Sequence, residues 1–167
     1  MKSFLTSLPA LLPVIHAWCE KQEILILEKG TPLSEEQLAD ARRAGVAHPE
    51  TIRVLRADAL PQPENDDVMF FARQVGLFGP HSIGLTLGYG ICLPLAAWED
   101  RHRLVHECVH VGQYEKKGGI RPFLNDYLRE CIDPGYPFGA LEQAAILVAK
   151  DICQQTGSVK LVTGAIS

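Results

Sequence analysis

Two histidines four residues apart, with a glutamate directly after the first, form the stretch of this 167-residue chain best suited to do chemistry. They read His106-Glu107-Cys108-Val109-His110 inside the longer run WEDRHRLVHECVHVGQYEKKGG. On an α-helix, residues four apart share a face and lie about 6 Å apart along the axis. The two imidazoles can therefore aim one nitrogen each at a common point, which is what a tetrahedral zinc ion asks of a ligand pair. Glu107 sits beside that face and can reach a water at the metal without being a ligand. The pattern thus offers two ligands and a general base for metal-assisted hydrolysis. The competing reading is a surface helix that happens to carry two histidines.

The elements needed to position these groups are legible around them. From about Pro94 to Lys117 the chain is rich in Leu, Ala, Glu, Arg and Lys, and it meets Gly118-Gly119, a natural helix stop. Leu104, Val105, Val109 and Val111 predict burial of this helix over much of its circumference, and buried imidazoles need partners. Gln113 continues the histidine face by three residues and is within reach of the site. His102 extends it backwards by a turn, but one helix places only two ligands comfortably on one ion. A catalytic zinc takes three protein ligands and a water, so a third ligand must come from elsewhere. Glu142 is the best-placed carboxylate, in the first turn of an apolar helix expected from about Gly139 to Gln155. The alternatives are Asp133, Glu130 and Asp126, and a carboxylate at a helix N-terminus is also favourable without any metal. His81, alone in a loop, is a further candidate ligand.

Composition bounds the class. Hydrophobic residues make up 47% and charged residues 22%, as in ordinary globular domains, and the length suits one domain with its own core. A net charge of -4 gives no basic footprint for nucleic acid. Five scattered cysteines without a C-x-x-C pair point to reduced thiols in a cytoplasmic setting. The apolar stretch from Phe4 to Trp18 is interrupted by Pro9, Pro13 and His16 and is too short to span a membrane. It reads better as a helix entered around Pro9 to Pro13 and running to Lys29, with Val14, Ile15, Trp18, Ile24, Leu25 and Leu27 facing the core. Ser34 and Gln37 form a capping box that opens a short helix to Ala44. A strand follows from Ile52 to Ala57, then a proline- and acid-rich loop. The segment from Asp67 to Gln74 is compatible with either helix or strand. Between Gly79 and Pro94, four glycines among apolar residues suit one or two strands with a tight turn beside the helix, lining a cleft or forming a plain sheet edge.

The order HExxHxxQ, a helix, a Gly-Tyr turn and a Leu-Glu-x-x-Ala helix resembles the small bacterial zincin-like metallopeptidases of the gluzincin type. The likeness covers about Gly79 to Gln155. It implies an α+β, zincin-like single domain in which a small mixed sheet, the HExxH helix and a second packed helix form the core. It further implies Zn2+ held by His106, His110 and Glu142, Glu107 as base, and a peptide or protein substrate. The stretch LTLGYGICL, Leu85 to Leu93, would border the cleft and pair with an extended substrate. An oxyanion donor is also required, and Tyr136, in the turn before the third-ligand helix, is the first choice, with Tyr127 and His81 behind it. The chain departs from the family where a second glutamate and a histidine-orienting aspartate are common, reading Ala144 and Ile146 instead. A catalytically silent zincin-fold interaction module is the alternative from another class.

Overall fold

A computed structural model describes residues 2–79, 82, 84–97 and 99–162. The chain opens with helix α1 (Lys2–Lys29), whose buried residues Leu8, Ile15, Cys19 and Ile26 follow a seven-four-seven spacing along one stripe. The helix starts earlier than its prolines suggest: Pro9 and Pro13 lie inside it on the exposed side. There water can satisfy the carbonyls that proline leaves without a donor. The stripe also corrects the expected core face. Val14 is 42% and Ile24 56% exposed, because a helical step of about 100° per residue carries both off the line through Ile15 and Ile26.

Strand β1 (Thr31–Pro32) leads to helix α2 (Glu35–Arg43), where Ser34 and Gln37 close a reciprocal capping box. Gly45, at φ 93°, ends it. Strand β2 (Arg53–Ala57) is followed by helix α3 (Asp66–Gln74), capped by the Asn65 side chain on the Val68 amide. The segment left open between helix and strand is thus helical. Strands β3 (Leu85–Leu87) and β4 (Gly90–Pro94) form a hairpin, and Gly88, at φ 60°, supplies the left-handed residue its two-residue turn needs. The sheet order is β1-β2-β4-β3, with β2 and β4 parallel and the outer pairs antiparallel, so β3 is an edge.

Helix α4 (Arg101–Lys117) carries the histidines. A short 3-10 turn over Leu95–Ala97 replaces its expected first turns, and Asp100 caps the helix by accepting from the Arg103 amide. Helices α5 (Ile120–Glu130) and α6 (Ala140–Val162) follow, joined by the turn around Pro134. The described residues therefore form an α+β arrangement of six α-helices and a four-stranded mixed sheet. No helix among them is long and apolar enough to cross a membrane.

Two apolar clusters flank α4. One joins the sheet to α2, α4 and α6 through Val54, Ile91, Leu93, Val105, Val111 and Ala145. The other joins α1, α3 and α5 through Ile15, Cys19, Phe71, Phe123 and Leu124. On α6, Ala145 and Ala149 are fully buried, and Glu142 lies on the same stripe three residues before Ala145. Small residues there let α6 pack closely on α4. On the opposite side, a Cβ on Gly112 would lie 2.9 Å from the Gly45 carbonyl oxygen. Ala favours a helix interior over Gly by about 1 kcal/mol, but overpacking against fixed backbone costs about 1–3 kcal/mol. Gly112→Ala is therefore expected to destabilise the protein by up to about 2 kcal/mol in urea denaturation. An increase in stability would contradict the close approach of α4 to the α2 turn.

Candidate metal centre

Helix α4 turns residues 103, 106, 107 and 110 to a cavity that edge strand β3 also borders, and α6 brings Glu142 to meet them. The Nε2 atoms of His106 and His110 are 3.2 Å apart. Glu142 spans both rings, its Oε1 3.2 Å from the His106 Nε2 and its Oε2 3.3 Å from the His110 Nε2. A tetrahedral ion with bonds of about 2.0–2.1 Å keeps its ligand atoms roughly 3.3 Å apart. Each pair of groups thus approaches at about that edge length, Glu142 turning a different oxygen to each ring, and one ligand atom from each residue lies within 4.8 Å of the others. His110 and Glu142 are buried, while His106 is partly exposed at the cavity.

Neighbouring groups fix these donors. The Gln113 side-chain amide donates to the Leu141 carbonyl at 2.9 Å, which turns its oxygen toward the His110 Nδ1, also at 2.9 Å. In neutral His110 that contact places the proton on Nδ1 and leaves the Nε2 lone pair facing the cluster. The Tyr127 hydroxyl donates to the Glu142 Oε2 at 2.9 Å, and its ring stands edge-on to His110 and stacked on Phe123. Burial and the Glu142 charge push the Tyr127 pKa well up, so it remains a donor. Burial works to raise the Glu142 pKa, but the His106 and His110 imidazoles outweigh it and hold the carboxyl well below the usual range. Burial works to lower the His110 pKa, and the Glu142 hydrogen bond with the Glu107 and Glu142 charges turns the balance upward.

Glu107 is buried but stands outside the three-donor cluster. Thr86, on edge strand β3, donates to its Oε2 at 2.5 Å. A Cβ on Gly84 would lie 2.2 Å from its Oε1, so only glycine leaves room for the carboxylate there. Tyr136 lines the same cavity and packs over Gly76. Burial, then the Glu142 and Glu107 charges, push its pKa up to about 12, which keeps the phenol protonated at neutral pH.

The other carboxylates named from sequence are engaged elsewhere or lie outside the cluster. Glu130 accepts from the Leu141 amide and caps the start of α6. Asp126 pairs with Lys117, and Asp133 is exposed in the turn. His102 is exposed at the cavity mouth. His81 lies outside the described residues. Tyr127, an alternative oxyanion donor on sequence, is instead bonded to Glu142. Thr86 and Gly84 went unrecognised as partners of Glu107, although both stand in the glycine-rich stretch that sequence reading sets beside the helix.

No protein-family model, curated protein or solved structure significantly matches this chain, so its chemistry rests on this geometry. Zinc titration of the wild type should show one tight site and a rise in melting temperature, since an ion at 100 times its Kd adds about 2.7 kcal/mol. His106→Ala should remove both effects. Gln113→Leu, which leaves all three ligands in place, should weaken zinc by about 10–100-fold. Undiminished zinc binding in His106→Ala would take His106 out of the site.

Proposed function

We propose that this protein is a zinc-dependent peptidase with a zincin-like fold, in which His106, His110 and Glu142 hold the ion and Glu107 is the general base. The observation carrying this reading is one helix that joins a three-donor face to a buried carboxylate held off that face by Thr86. A purely structural site has no use for the second feature. The fold reading draws on β3, an edge strand beside α4 that borders the cavity. An extended peptide can add to such an edge through its main chain.

Zinc bound here would supply Lewis acidity to the scissile carbonyl and acidity to a water. Glu107 takes a proton from that water as its oxygen bonds to the carbonyl carbon. The same carboxyl then returns the proton to the amine as the carbon–nitrogen bond breaks. Thr86 holds the Glu107 carboxylate in one orientation, and Gly84 leaves it space. Tyr127 keeps Glu142 aligned, while protonated Tyr136 faces the cavity as the donor to the developing oxyanion. An apolar wall of Trp18, Phe71 and Phe123 across the cavity lowers the local dielectric and strengthens each of these charge interactions.

Glu107→Gln preserves side-chain size but cannot accept the proton. It is expected to keep zinc content and folding while lowering turnover of unstructured peptides by about 10²–10⁴-fold. Gly84→Ala, which drives a methyl group into the Glu107 carboxylate, should lower turnover with zinc retained. Elemental analysis of the purified protein belongs beside these assays, because two histidines and a carboxylate also suit iron(II). Iron in place of zinc, or equal cleavage by wild type and Glu107→Gln, would overturn the reading.

A further inference from the structure

Beside the three-donor cluster lies a cavity of about 930 Å3. Its far wall is apolar, built by Trp18 of α1, Phe71 of α3, and Phe123, Leu124 and Leu128 of α5. Its near wall is the polar face of α4, where Arg103 lies one turn before His106. The Arg103 Nε donates to Asp100 at 2.9 Å. Its Nη1 is buried and has no hydrogen-bond partner, alone in this among the side-chain atoms of the described residues. Buried donors of a charged group nearly always find an acceptor. With Nε engaged by Asp100, an oxyanion entering beside the guanidinium would supply the acceptor that Nη1 lacks, and a carboxylate fits that fork.

Position narrows the choice of anion. Arg103 stands roughly 5–6 Å along the helix axis from His106 and Glu107, and one peptide unit spans about 3.8 Å. An anion on Arg103 is therefore one or two residues from the bond at the cluster. An internal acidic side chain would require the peptide to continue through a space walled by apolar rings. A chain terminus stops there, with its last side chain against Trp18 and Phe71.

We propose that Arg103 binds the free C-terminal carboxylate of the substrate, making the protein a carboxypeptidase for peptides that end in a large apolar residue. The substrate class rests on the peptidase reading above, whereas carboxylate binding by Arg103 can be measured without turnover. The full-length Glu107→Gln protein, as purified, is titrated calorimetrically with N-acetyl-leucyl-phenylalanine and with its C-terminal amide. The acid is expected to bind at least about tenfold more tightly. Adding Arg103→Met should abolish the preference, and Arg103→Lys should restore part of it. A merely structural role for Arg103 would weaken both ligands alike and leave their ratio unchanged.

Equal affinity for acid and amide, no binding of either, or a preference that survives Arg103→Met would overturn the proposal. Wild-type cleavage of both forms at similar rates would leave the peptidase reading standing and remove this one. An Arg103-dependent preference without cleavage by the wild type would keep the carboxylate site and remove the peptidase.

Discussion

Three donor groups, two buried and one half-buried, pressed to within 3.2–3.3 Å of one another make up the constraint on which the rest of the structure depends. Lone pairs facing each other in a low-dielectric interior repel unless a cation or a proton lies between them. The surrounding fold has to resist that repulsion before anything binds. Helix α4 is anchored at both ends for this purpose. Arg101 makes two hydrogen bonds, 2.7 and 2.8 Å, to the buried Asp40 carboxylate on α2. Near the other end, Glu115 accepts from the Ala47 and His48 amides and from the Tyr89 hydroxyl. Charge-assisted bonds at partly buried sites are among the stronger polar contacts a protein makes. They fix the helix in rotation as well as position, so His106 and His110 cannot turn apart.

The carboxylate side is held by different means. Glu142 reaches the cluster because Ala145 and Ala149 let α6 lie close to α4, and because Glu130 caps the first turn of α6. Gln113 then couples the two helices, since the carbonyl that orients its amide belongs to Leu141, the neighbour of Glu142. A shift of α6 would disturb His110 through Gln113 as well as moving Glu142 itself. An amide on the histidine helix thus orients His110.

What could be read in advance follows the range of each interaction. His106, Glu107 and His110 share one helix, so their relation is set by helical geometry alone and stands in the sequence. The capping box at Ser34, the stop at Gly118 and the helical stripe carrying Glu142 are equally local. Glu142 could be ranked above Glu130 and Asp126 only through its apolar neighbours, since the distance between α4 and α6 is a tertiary quantity. The stripe on α1 has no local mark because the helix is apolar on several sides, and only its partners α3 and α5 decide which side is inner. Only the cavity wall at Gly84 to Leu87 had a local signal, in the glycine-rich stretch, while the rest is shared among α1, α3, α4 and α5. Arg103 resembles any surface arginine on a helix until its Nη1 is seen buried without an acceptor.

The division of the core into two clusters bears on how such a site can vary. Leu104, Val105, Cys108, Val109 and Val111 commit α4 to the sheet cluster together with the buried face of α6. The apolar wall of the cavity draws instead on the cluster of α1, α3 and α5. The geometry of the three donors and the shape of the cavity therefore rest on separate sets of packing contacts, joined mainly where Tyr127 and Phe123 reach from α5 toward His110. Effects at sites without shared partners tend to add independently. Changes at Phe71 or Trp18 can thus reshape what the cavity accepts with little strain on the three donors. A change at Phe123 or Tyr127 acts on both, because those rings are wall and ligand support at once.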